Sequence, residues 1–81
     1  MTEPYIPISC SIHDELLAAA TLRRMAEIVY RSDTGDKVTA RAKIEDVFAR
    51  AGAEFLRLGD GSRIRLDRLL TVDGKLVTPA D

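Results

Sequence analysis

Two alternating runs separated by one tight turn dictate most of what this chain can fold into. From Met25 to Arg31, Ala26, Ile28 and Tyr30 alternate with Met25, Glu27, Val29 and Arg31. From Lys37 to Ile44, Val38, Ala40, Ala42 and Ile44 alternate with Thr39, Arg41 and Lys43. A period of two marks a strand with one face buried, whereas an amphipathic helix repeats every three to four residues. Asp33-Thr34-Gly35-Asp36 lies between the runs, so they predict an antiparallel hairpin closed by a Gly-containing loop.

The same punctuation recurs downstream. Glu54 to Leu58, the turn Gly59-Asp60-Gly61, and Ser62 to Leu66 predict a second hairpin, with Ile64 and Leu66 pointing one way and Arg63 and Arg65 the other. Asp67-Arg68 predicts a bend before a strand from Leu69 to Val72. Asp73-Gly74 predicts another turn, followed by a short edge strand from Lys75 to Thr78 that Pro79 should end. Between the hairpins, Ile44, Val47, Phe48 and Ala51 follow helical spacing and Gly52 can terminate, which predicts a short helix or single turn over residues 45–51.

Ahead of these strands lies one helix. Pro4 and Pro7 bias the entry toward extended backbone, so the helix begins only beyond them. Ser11 suits the N-cap, and Asp14, three residues on, is a shorter-armed variant of the capping-box residue; Asp14 and Glu15 then occupy the first turn, where the helix dipole favours negative charge. At about 100° per residue, Ile12, Leu16, Ala19 and Ala20 gather on the side expected to face the protein, while Asp14, Leu17, Ala18 and Thr21 face solvent or a partner.

The expected fold is therefore mainly β with one N-terminal α-helix: a strongly bent antiparallel sheet, or a partly open five-stranded barrel, capped by the helix, because closure removes exposed edges. Eighty-one residues predict one domain spanning 1–81, since a chain this short offers too little apolar volume for two cores. With two Phe, two Tyr and no Trp, the core must come from Leu, Ile, Val and Ala. The longest apolar run, Leu16 to Ala20, is far short of a membrane span, the N-terminus lacks signal-peptide character, and the one cysteine cannot form an internal disulfide; together these predict an intracellular protein. Only Leu17, Ala18 and Leu22 are expected as an exposed apolar strip, which predicts a monomer.

The net charge of −1 conceals a segregation: residues 1–22 carry Glu3, Asp14 and Glu15 with no Lys or Arg, while all twelve basic side chains follow, against ten acidic ones. Catalytic chemistry finds little support. Cys10 and His13 have no orienting group or oxyanion donor to make a nucleophile and base, and a single Cys with a single His falls short of a zinc site. Asp14 and Glu15 point about 100° apart on a helix and so do not form an acid and base pair. No phosphate loop, calcium loop or cofactor motif is present. Arg57, Arg63, Arg65 and Arg68 offer a basic strand face suited to RNA. Only Phe55 stands near them as a stacking platform, and alternating basic residues are also what a solvated strand face contains.

The opening Tyr5-x-Pro7-Ile8-x-Cys10, followed by Asp14, Leu16 and Ala19, resembles the Rho-binding antiterminator (Rof) family. Ile64-Arg65-Leu66-Asp67-Arg68-Leu69 resembles that family's Leu-Arg-Leu-Asp-Lys-Ile segment. The resemblance implies an Sm-like barrel with an N-terminal helix, no catalysis, and binding to the RNA-binding domain of the hexameric termination factor Rho in the bacterial cytoplasm, where an acidic surface excludes transcript. By position, Asp14 matches a family acidic residue, His13 stands where the family can have an aromatic, and Leu17 stands where a family member can carry Glu. The candidate partner-binding residues are therefore His13, Asp14, Glu15, Leu17, Ala18 and Thr21, with little RNA affinity expected of the chain itself. The alternative is an Sm-like RNA-binding module using Arg63 and Arg65.

Overall fold

A computed structural model describes residues 4–80; Glu3, counted above among the N-terminal acids, lies outside the described residues. One helix, α1 (Cys10–Leu22), precedes β1 (Met25–Arg31), β2 (Lys37–Arg50), β3 (Ala53–Leu58), β4 (Arg63–Arg65), β5 (Leu69–Val72) and β6 (Lys75–Leu76), with a 3-10 turn at Leu66–Arg68. The strands form one antiparallel sheet in the order β4-β3-β2-β1-β5-β6, which does not close.

The predicted β1–β2 hairpin forms in register, Met25 opposite Lys43 through Arg31 opposite Lys37. Strand β2, however, does not stop at Ile44. It continues through Arg50, paired with β3 from Ile44 opposite Leu58 to Arg50 opposite Ala53, so the helix expected over residues 45–51 does not exist. The misleading spacing has a specific cause. Between Ile44 and Asp46 the register slips, two β2 residues advancing against one of β3, and this bulge places Ile44 and Val47 three apart on the same core-facing side. Phe48 then sits opposite Phe55, their rings stacked at 5.5 Å, a cross-strand pair that rewards the extended backbone.

The turn joining β2 to β3 is the two-residue loop Ala51-Gly52, with φ of 53° and 82°. Positive φ at both positions is the backbone of a type I′ hairpin, which an Ala-Gly pair does not advertise as Asn-Gly or Asp-Gly would. Asp73-Gly74, at φ 50° and 82°, makes the equivalent loop between β5 and β6 with more usual residues.

Because only Leu66–Arg68 separates β4 from β5, the end of one sheet edge and the start of β5 lie at most about 15 Å apart, and the sheet must curl to meet that limit. Inside the curl lie Ile28, Ile44, Leu56, Leu58 and Leu66, all essentially inaccessible, with Leu16 of α1 inserted among them. The helix faces fall as expected: Leu16 is buried, Ile12, Ala19 and Ala20 are half-buried against the core, and Asp14, Leu17, Ala18 and Thr21 are exposed.

The helix start differs from expectation. Ser9, not Ser11, occupies the N-cap, and its side chain makes no capping bond, its hydroxyl being buried without a hydrogen-bond partner among the described residues. Pairing with the C-terminal segment fixes the start instead: Ser9 N–H donates to Thr78 O at 2.8 Å and Ala80 N–H to Pro7 O at 2.8 Å, around an Ile8–Pro79 bridge. Pro79 was expected to stop pairing. The bridge tolerates it because the donors are Ser9 and Ala80, so the missing proline N–H is not required. With Cys10 as the first helical residue, Asp14 and Glu15 fall beyond the first turn and cap nothing. At the far end Arg23 adopts the left-handed conformation and Arg24 N–H reaches Ala19 O, a Schellman closure.

Exposed large apolar residues are more numerous than the predicted strip: Ile6, Met25 and Leu76 join Leu17 and Leu22. No helix among the described residues is long and apolar enough to cross a membrane.

Ala51→Asn tests the β2–β3 hairpin turn. Asn accepts positive φ more readily than Ala, so the substitution should raise the unfolding free energy in urea by about 0.5–1 kcal/mol. A helical 45–51 segment would instead lose stability, since Asn is the poorer helix former.

Candidate functional site

The outward face of α1 presents Asp14, Leu17, Ala18 and Thr21, with Leu17 exposed to 41%. Thr21 Oγ1 donates back to Leu17 O at 3.0 Å, which turns its hydroxyl onto the helix. Glu15, also exposed, pairs with Lys75 of β6, so part of its charge is answered within the chain. His13 departs from the group: it is half-buried and its Nε2 lies 2.6 Å from Glu54 Oε2 on β3. Of the six candidate residues, Asp14, Leu17, Ala18 and Thr21 therefore share one accessible face, Glu15 borders it, and His13 points toward the sheet.

Two polar clusters that sequence reasoning missed hold α1 and the segment leading into it against the sheet. In the first, Glu54 accepts from Tyr5 Oη at 3.4 Å through one oxygen and meets His13 through the other, tying the N-terminal segment and α1 to β3. Burial, followed by the adjacent Glu54 charge, pushes the Tyr5 hydroxyl up to about 12. In the second, Arg65 is buried rather than presented on a solvated basic face. Its Nε donates to Asp67 Oδ1 at 2.9 Å, Nη2 donates to Asp67 Oδ2 and to Pro4 O at 3.1 Å, and the guanidinium lies 5.6 Å from the Tyr5 ring centroid. Asp67 Oδ2 also accepts from Ile6 N–H at 3.1 Å. Burial alone would raise the Asp67 carboxyl, but the Arg65 and Ile6 donors and the charges of Arg65 and Arg68 outweigh it and hold the group below its ordinary range. Arg65 and Asp67 are two apart in sequence with a strand-to-turn change between them, so no periodicity foretells that they meet.

Cys10 is exposed, and among the described residues no group of three or more His, Cys, Asp or Glu side chains gathers as a metal centre would require. Two clefts lie on the surface, and only the first touches α1. One of about 260 Å³ runs between α1 and the β5–β6 edge, with Glu15 and Lys75 on its lining. The other, of about 620 Å³, lies at the open seam of the sheet and gathers Arg31, Arg63 and Arg68 beside the Asp67-paired Arg65. No family model matches this chain, and no curated protein matches it either.

The Arg65–Asp67 pair yields a prediction with a definite sign. Asp67→Asn removes the carboxylate that accepts from Nε and Nη2 of the buried guanidinium and should cost about 3 kcal/mol in chemical denaturation near neutral pH. A carboxyl depressed in the folded state contributes stability that is present above its unfolded value of 3.8 and is lost as pH falls through the lower folded value. Below about pH 4 the parent should therefore lose stability more steeply than Asp67→Asn, and the two curves should converge.

Proposed function

We propose that this chain is a non-catalytic regulator of the bacterial cytoplasm that binds the RNA-binding domain of hexameric Rho and blocks RNA loading, so opposing Rho-dependent termination. The observation that carries the proposal is the exposed face of Asp14, Leu17, Ala18 and Thr21, on the helix where the resemblance to the Rho-binding antiterminator family implies the contact. Its residues are short, which permits close approach. Asp14 offers a carboxylate to Lys or Arg that otherwise hold phosphate, and charge complementarity of this kind chiefly raises association rate and selects the partner. Leu17 adds apolar burial of about 1.5–3 kcal/mol if fully enclosed. The rival use of Arg63 and Arg65 as a basic RNA-binding face is weakened, since Arg65 is engaged by Asp67 and Pro4 beneath Tyr5.

Because Asp14 caps nothing, it can be reversed without undoing the helix start. Asp14→Lys combined with Leu17→Asp should leave the circular dichroism spectrum and melting temperature nearly unchanged. The same pair should weaken displacement of fluorescent cytidine-rich RNA from Rho about 100-fold, the combined effect of lost apolar burial and reversed charge. Displacement as strong as the parent's rejects docking through this face.

A further inference from the structure

We propose that the cleft at the open seam of the sheet is a binding site for a phosphorylated small molecule bearing a ring, of the class of nucleoside phosphates, its phosphate held by Arg31, Arg63 and Arg68. The three arginines come from three separate segments: the end of β1, the edge strand β4, and the turn that links β4 to β5. The curl of the sheet brings them to one cleft of about 620 Å³, within the ordinary size of small-molecule sites. Among the described residues none of the three forms an ion pair with a carboxylate. Two are tethered by backbone carbonyls instead, Arg31 Nη1 to Gly35 O at 3.1 Å and Arg68 Nη1 to Ser32 O at 3.2 Å. A guanidinium has five N–H donors, so each keeps others to offer, and tethering reduces the freedom it would lose on binding an anion.

Charge in the cleft is unbalanced. Among the described residues, Asp33 offsets one arginine and Asp67 pairs with Arg65, which leaves two positive charges for an anion. Tyr30 and Phe55 line the same cleft and supply planar surfaces for a ring, and Ser62 adds a hydroxyl. The basic character does not continue as a track. Beyond Arg63 the surface is lined by Asp46, Phe48 and Arg57, whose Nε is 3.8 Å from Glu45, so further phosphates of a strand would meet two carboxylates against one added arginine. That limit favours a small ligand over a polynucleotide. The site shares no residue with the outward face of α1, so it stands whether or not the chain binds Rho.

The test is an amide NMR titration of the whole chain with ADP, adenosine and hexacytidylate. ADP should shift resonances of residues 30–33 and 62–65, and adenosine at equal concentration should not. Arg63→Gln, which breaks no ion pair among the described residues, should keep the dispersed spectrum of a folded protein and weaken ADP binding about tenfold, as loss of one charge-assisted contact predicts. Absence of ADP shifts in those segments, or undiminished binding by Arg63→Gln, overturns the proposal. Hexacytidylate binding more than tenfold tighter than ADP also overturns it, in favour of a nucleic-acid strand.

Discussion

The rest of the molecule depends on β2 being one continuous strand that serves two halves of a sheet. Its first half pairs with β1 and its second with β3, and the bulge at Ile44–Asp46 changes the register between them. A bulge bends its strand and increases local twist. Bending at that point lets one sheet curl far enough for three residues to carry the chain from β4 to β5. The same curl encloses Leu56, Leu58 and Leu66 with Ile28 and Ile44, and it leaves a concave side on which Leu16 of α1 inserts.

Given the curl, polar ties position what the sheet presents. The N-terminal segment is bonded to the C-terminal segment around Ile8 and Pro79, to Arg65 and Asp67 through Pro4 and Ile6, and to Glu54 through Tyr5. His13 joins α1 to the same Glu54, and Glu15 joins it to Lys75. These contacts reach the helix from its flanks, so its outward face stays exposed while its orientation is held. Individually the exposed pairs contribute little. The buried Arg65–Asp67 pair differs, because removing one partner strands a charge away from water.

Sequence periodicity read the elements whose burial is one-sided and regular. The faces of α1 follow from spacing, and the β1–β2 and β3–β4 hairpins from spacing together with the turns at Asp33–Asp36 and Gly59–Gly61. It failed where a single residue broke the period. The bulge made inward positions three apart and imitated a helix, and Ala51-Gly52 disguised a hairpin turn because Ala carries no turn signal. It failed again where a long-range contact overrode a local preference. Strand pairing at Ser9 displaced the expected Ser11 cap, and the N-terminal segment, through Pro4 O and the Tyr5 ring, covers Arg65 on what alternation read as a solvated basic face. His13, a candidate through the family position and its place flanking the outward face, points toward β3 and Glu54, a direction that no local pattern signals.

Two surfaces of opposite character thus lie on separate elements: a small acidic and apolar helix face, and an arginine-lined cleft where the sheet fails to close. The proposed partner-binding surface is the first, and photocrosslinking separates the two most directly. A photoreactive amino acid placed at position 17 should crosslink to Rho, and excess cytidine-rich RNA should suppress that crosslink. The same group at position 63 should give none. Crosslinking from position 63 alone, or from neither position under conditions where the parent displaces RNA from Rho, would contradict the assignment.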